Sequence, residues 1–209
     1  MATRPAYCVK DDLVVCETFP FVWNGGFAKE QTLKNVTNLH NSIRNLTGKE
    51  ALEISTKSEN VLGRKLSAFN LEYNSHKIEC LYQSSKVYEN AGPFPDMLNV
   101  SPKDAKTDMR HKTSGRLKGF CLNGVGIPLE ESIVFYDWLH YQGMLQHYED
   151  FADLDDYDYF TDIVFNPAKS YVTQARSVAL FQLTKKRDLL LYKFTYQSFK
   201  TFHMLNVMG

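Results

Sequence analysis

Cysteine is scarce in this chain, neither charge sign is in excess, and no long apolar run occurs. Each shortage removes a class of protein. Cys8, Cys16, Cys80 and Cys121 form no Cys-x-x-Cys pair and have no histidine at zinc-ligand spacing, so four ordinary thiols are expected rather than a metal site or a disulfide framework. With 24 basic and 24 acidic side chains the formal net charge is zero. That excludes the overall positive field of a protein gripping duplex phosphates unaided, and leaves nucleic acid open as a locally held substrate. No stretch approaches the roughly 20 apolar residues of a bilayer span. The opening Met-Ala-Thr-Arg-Pro has no basic segment followed by an apolar run. The expectation is a soluble, cytoplasmic chain with no membrane partner, in which the sequons Asn35-Val-Thr37 and Asn45-Leu-Thr47 carry no meaning.

What is present suits one compact domain: 209 residues, 44% hydrophobic and 13% aromatic, with no internal repeat and no low-complexity linker. Ala6 to Val22 reads as β-rich, interrupted at Pro20, with a turn at Asn24-Gly25-Gly26. Gln31 to Asn45 carries a helical stripe of Leu33, Val36, Leu39, His40 and Ile43 that closes near Thr47-Gly48. Residues 1–49 thus form an N-terminal hairpin and helix. Ala51 to Thr56 and Leu66 to Tyr73 read as extended, and Ile78 to Asn90 as a helix stopped by Gly92-Pro93. Ser101-Pro102 opens a helix to about Lys112. Gly119 to Val125 suits a strand or turn, Glu130 to Tyr148 a long aromatic-faced helix, and Asn166-Pro167 breaks the chain before a final helix over Gln174 to Leu191. The fold class expected is α+β: a single, mainly helical domain with a small antiparallel sheet.

At about 100° per residue, Glu79, Tyr82, Gln83 and Lys86 share one sector of the predicted helix, with Glu79 and Lys86 roughly 10 Å apart along its axis. That separation is too long for an ion pair and suited to flanking a ligand.

Three motifs stand in order: Leu66-Ser-Ala-Phe-Asn70, Ile78-Glu-Cys-Leu-Tyr-Gln-Ser-Ser-Lys-Val-Tyr88, and Ser101-Pro-Lys-Asp-Ala-Lys106 followed by Arg110. As a set they resemble the NADAR family over residues 50–185, whose helix carries a glutamate, an aromatic-glutamine pair and a lysine. Ala68 stands where many members have asparagine, and Cys80 replaces the usual histidine. Phe160-Thr-Asp-Ile-Val-Phe-Asn-Pro167 and Gln174-Ala-Arg-Ser177 replace the tryptophan-containing segment of the riboflavin-pathway members. They are more similar to the subgroup encoded beside guanine-modifying DarT-type toxins, which place ADP-ribose on DNA bases. The resemblance implies an antitoxin that hydrolyses ADP-ribose from guanine in DNA, with ADP-ribosylated DNA as substrate, ADP-ribose as product and a cognate toxin as a possible partner.

Breaking the N-glycosidic bond needs a protonated leaving nitrogen and a stabilised anomeric carbon. Glu79 can act as acid or base. Lys86 can either hold a diphosphate or attack the opened sugar aldehyde as a nucleophile. Tyr82 and Gln83 suit reading of an extruded base, though Tyr82 equally suits the core. Ser67, Phe69 and Asn70 would line the pocket, the loop offering amides to a phosphate. Arg64, Lys106 and Arg110 are drawn from a basic set that is otherwise an ordinary solvated face. Asp162 is the expected second carboxylate, and Gln174 and Arg176 are further candidates. No metal or cofactor is called for. The acidic, tyrosine-rich stretch from Glu149 to Tyr159 lacks the glycine of a calcium loop and could dock a basic partner such as the toxin. Two other readings stay open: an antitoxin that binds toxin or ADP-ribose without turnover, and an N-glycosidase of a small phosphoribosyl metabolite.

Overall fold

The computed structural model describes residues 1–26, 28–166, 168 and 170–208. Strands β1 (Ala2–Lys10) and β2 (Leu13–Phe21) form an antiparallel hairpin, with Ala2 opposite Phe21 and Lys10 opposite Leu13. Its turn is Asp11-Asp12, at φ 49° and 58°, the left-handed conformation a two-residue hairpin loop requires and that aspartate tolerates. Asn24-Gly25-Gly26 instead leads from β2 into helix α1 (Lys29–Thr47). Pro20 sits inside β2 rather than interrupting it. β2 is an edge strand, where a residue without an N–H is tolerated. The α1 stripe Val36, Leu39 and Ile43 packs on Phe19, Phe21 and Tyr159, and Gly48 at φ 70° ends the helix with its N–H on the Arg44 carbonyl.

The hairpin continues into strands β3 (Ala51–Glu53) and β9 (Tyr159–Thr161) in the order β2-β1-β9-β3. β9 is antiparallel to β1 but parallel to β3, with Glu53 opposite Thr161, so this sheet is mixed and not antiparallel as expected. A second, antiparallel sheet joins β6 (Lys86–Tyr88), β7 (Leu117–Leu122) and β8 (Val125–Pro128), and β4 (Glu72–Tyr73) pairs with β5 (His76–Lys77). The molecule is a single α+β domain.

The further helices are α2 (Val61–Lys65), α3 (Ile78–Ser84), α4 (Pro102–Thr107), α5 (Arg110–Thr113), α6 (Ser132–Gln146), α7 (Gln174–Lys186) and α8 (Tyr196–Asn206). The main core gathers Leu81, Phe120, Phe135, Leu139, Phe181 and Phe199 from α3, β7, α6, α7 and α8. Gly63 lets α2 lie against β3, since a Cβ there would stand 2.0 Å from the Glu53 carbonyl oxygen.

Several boundaries depart from expectation. Leu66 to Asn70 is not extended: Asn60 caps α2 through the Leu62 amide, and the chain turns until β4. α3 ends at Ser84, and the next residues leave the helix to pair with β7. The Ser101-Pro102 start holds, with Ser101 Oγ accepting from the Asp104 amide, but the helix breaks at Asp108 (ψ 132°) before α5. α7 stops at Lys186, near Asp188 at φ 54°, and α8 rather than α7 is the last helix. The Asn166-Pro167 break lies partly outside the described residues, because Pro167 is not among them. Among the described residues no helix is long and apolar enough to cross a membrane.

Candidate active site

A cleft of about 420 Å³ is bounded by α3, the start of β6, α4, α6 and the segment that follows β9. That volume lies in the usual range of ligand pockets. Glu79, Tyr82, Gln83, Lys86, Lys106, Asp162 and Gln174 all line it, so three candidate catalytic side chains and four candidate binding ones converge.

Glu79 stands in the first turn of α3, where the helix dipole favours a carboxylate. Its own amide bonds the Ala68 carbonyl at 2.9 Å, which ties the helix start to the preceding loop. The side chain is 5% exposed. Its Oε1 accepts from Gln83 Nε2 at 2.7 Å and faces Lys106 Nζ at 3.4 Å. Gln83, one turn later, is thereby oriented, and its Oε1 is buried with no partner among the described residues. A buried acceptor left open at a cleft wall suits a ligand N–H or O–H.

Lys86 is the first residue of β6, not a fourth face of the helix. Its amine lies 5.3 Å from the centre of the Tyr82 ring. Burial pushes its pKa down to about 8, with Glu79 opposing the fall and Lys106 adding to it. A substantial neutral fraction near physiological pH follows, which a nucleophilic amine requires. Gly92 holds this strand end close: at φ 102°, a Cβ there would meet the Lys86 carbonyl oxygen at 2.3 Å.

Asp162 follows β9. Its Oδ1 accepts from the Phe165 amide at 3.2 Å and its Oδ2 from Gln174 Nε2 at 3.2 Å. Burial raises its pKa to about 6 against those bonds. Gln174 also accepts from the Ala68 amide at 2.6 Å, so one side chain joins the Ser67–Asn70 loop to the Asp162 segment. The amides of Ser67, Ala68, Asn70 and Leu71 all donate within the protein, which leaves the loop without the row of open amides expected for a phosphate. Phe69 enters through Lys106, whose amine sits 5.2 Å from its ring centre.

Tyr82 serves both readings made of it. It lines the cleft and packs its ring 5.1 Å from Phe120 and from Tyr136. Tyr136 lines the cleft as well, with Val164, Phe165, Ser170 and Val172. Nothing in sequence marked these: α6 carries aromatic and aliphatic side chains on more than one face, so no period sets Tyr136 apart, and the 164–172 segment has no helical or strand period.

The remaining candidates are elsewhere. Arg64 donates to the Ser58 and Glu59 carbonyls, Ser67 Oγ to the Arg64 carbonyl, and Asn70 lines a separate cleft with Lys65 and Lys77. Arg110 forks onto Asp96 and Asp108. Arg176 is buried against Asp137, 2.7 Å from Oδ2, and reaches the cleft indirectly, by donating to the Tyr171 carbonyl at 3.0 Å. Of the other basic side chains in the span after Lys106, Arg116 and Lys118 both pair with Glu89.

No curated protein matches the chain. A family model described as DarT1-associated NADAR antitoxin matches residues 2–207, nearly the whole length, so the chain that folds this cleft belongs to the DarT1-associated NADAR antitoxin family.

Proposed function

We propose that this protein is an antitoxin that works as a glycohydrolase, removing ADP-ribose from guanine bases in DNA in the cytoplasm and so undoing the modification made by a cognate DarT-type toxin. The observation that carries the reading is the convergence of Glu79, Lys86 and Asp162 on one cleft in a chain of this family.

The chemistry follows from their environments. Glu79, bridged to Gln83 and Lys106, moves protons at the anomeric centre. Opening of the ribose ring gives an iminium between C1 of the sugar and the guanine amino nitrogen. The neutral Lys86 amine adds to that carbon, the guanine amine leaves with a proton relayed through Glu79, and a Schiff base to Lys86 remains. Water then adds, activated by Asp162 or Glu79, and the C–N bond to Lys86 breaks to return the amine and free ADP-ribose. Gln83, through its open Oε1, and Tyr82 suit recognition of the substrate beside these groups. Asp162 with its raised pKa takes and returns a proton near neutrality.

The test is incubation with one oligonucleotide carrying ADP-ribose on guanine and another carrying it on thymine, with release followed by gel shift. Loss of the guanine adduct alone, abolished in Glu79→Gln, is the expected result. Full protection of cells by Glu79→Gln would favour sequestration of toxin or ADP-ribose. Cleavage of a phosphoribosyl pyrimidine with both oligonucleotides intact would favour the small-metabolite reading.

A further inference from the structure

Glu53 does not line the cleft and is 1% exposed, at the end of β3 opposite Thr161. Its Oε1 accepts from Ser55 Oγ at 2.8 Å and from the Ile163 amide at 2.9 Å, and its Oε2 accepts from Thr161 Oγ1 at 2.7 Å. Thr161 and Ile163 are the two residues flanking Asp162. Gripping the hydroxyl of one neighbour and the amide of the other removes the freedom of Asp162 to rotate about its backbone. The Asp162 carboxyl is thereby left pointing at Gln174 and the cleft. The grip extends further. Thr161 gives its one proton to Glu53, so at its 2.9 Å contact with His40 Nε2 the hydroxyl accepts, which sets the His40 tautomer with the proton on Nε2. Burial holds His40 neutral, with a pKa near 4.

Among the described residues no cation lies within ion-pair distance of Glu53. An unpaired buried carboxylate is an expensive way to anchor a strand when a neutral side chain would do. Burial and then the charge of Asp162 push its pKa up to about 7, while that of Asp162 stands at about 6. Near Glu53, His40 of α1, with the Arg44–Glu50 ion pair beside it, and Glu59 and Tyr157 line a second cavity, while Glu79, Lys86, Lys106 and Tyr136 share the cleft with Asp162.

We propose that Glu53 is a positioning residue of the reaction: by holding Thr161 and Ile163 it aims the Asp162 carboxyl into the cleft and couples its own charge to it. This rests on the assignment of Asp162 to the hydrolase reaction above. Two variants test it on the guanine-modified oligonucleotide, Glu53→Gln, which keeps the shape without the charge, and Thr161→Val, which removes the hydroxyl and leaves Glu53 intact. Each should lower kcat by up to about 100-fold with KM unchanged, the scale of a slightly misplaced catalytic group. In an Asp162→Asn background Glu53→Gln should lower kcat no further. A loss that multiplies in full with Asp162→Asn, or wild-type kcat in both single variants, overturns the proposal. A second arm needs no turnover: carboxyl-carbon NMR titration of the full chain. Asp162 and Glu53 should share two inflections, and Asp162 should titrate in one step with a lower midpoint in Glu53→Gln. An identical Asp162 curve in both proteins overturns the coupling. A folded wild type that leaves the adduct intact rejects the hydrolase reading alone, because the titration still reports on the pair. Should Glu53→Gln fail to fold, Thr161→Val carries the kinetic arm, and a single Asp162 inflection in the wild type in place of two shared ones overturns the coupling.

Discussion

Two buried polar clusters lie a short way apart in this molecule, and they are built to opposite rules. In the first, Asp137 of α6 takes Arg176 Nε at 2.7 Å, Ser177 Oγ at 2.6 Å and His203 Nε2 at 2.8 Å, joining α6 to α7 and α8. Burial would raise the Asp137 pKa, but Arg176 and His203 hold it down at about 2. The second is the cleft, where Lys86 has no carboxylate within ion-pair distance among the described residues, Gln83 Oε1 has no partner, and Asp162 is pushed up towards neutrality. A saturated network fixes structure and has nothing left to offer a ligand. An under-paired one stores desolvation cost that substrate can relieve. The comparison explains why Arg176, a reasonable ligand on sequence, acts here through the backbone of Tyr171.

The contrast breaks hardest at Lys86. Lys86→Met should abolish turnover, beyond the roughly 10²–10⁴-fold loss expected of a missing acid–base group as in Glu79→Gln. Borohydride trapping of a protein–ADP-ribose adduct should vanish with it, and in the wild type trapping should grow as pH rises through about 8. The same variant should raise the melting temperature at pH 7. The folded pKa of Lys86 is depressed to about 8, so at pH 7 the amine is mainly charged in both states and its desolvation opposes folding, an effect that fades as pH rises from about 8 towards the ordinary lysine value. A lower melting temperature would contradict the account.

On the saturated side the large effect is on stability. Asp137→Ala strands the buried Arg176 guanidinium and should cost about 3–5 kcal/mol in urea unfolding, whereas the folded fraction should keep its affinity for ADP-ribose. Gln83→Leu sharpens the cleft side: losing a hydrogen bond to the Glu79 carboxylate should cost about 1.5–3 kcal/mol of transition-state stabilisation, read as kcat/KM.

Smaller still is a pH effect. Glu53 and Asp162 have folded pKa values raised to about 7 and 6, so their contribution to stability is complete below the ordinary carboxylate range and is lost as pH rises through those values. Urea midpoints should therefore fall from pH 5 to pH 8, and less so in Glu53→Gln. The smallest effect is at Arg110, whose forked pairing with Asp96 and Asp108 is at the surface. Arg110→Ala should change stability by under about 1 kcal/mol and leave ADP-ribose binding as it was. A tenfold weaker binding constant by calorimetry would return Arg110 to the site.

Local signals read well where one element decides its own fate. The α1 stripe and its Gly48 cap, the Ser101-Pro102 start and the polar order Glu79-Tyr82-Gln83 all stand as read, because helical period, capping and side-chain direction need only neighbours within a turn or two. Lys86 reached the cleft by another route than its helical spacing suggested. Val87 and Tyr88 are good strand residues, and β7 supplies the partner that draws the chain out of the helix. Pro20 misled in the same way, since only the sheet order reveals that β2 is an edge.

By itself the sequence determined the α+β class, the family through three ordered motifs, and the shared helix of Glu79, Tyr82 and Gln83, a set that lines the cleft. Those properties follow from chemistry carried along a short piece of chain. Tertiary structure alone decided that Asp162 and Gln174 meet that set, that Tyr136 forms part of the wall, that Arg176 is locked onto Asp137, and that Glu53 grips both neighbours of Asp162. Each of these depends on pairing between residues some 40 to more than 100 positions apart. Whether a charged side chain ends up saturated or waiting for a partner is settled by what the rest of the fold brings to it.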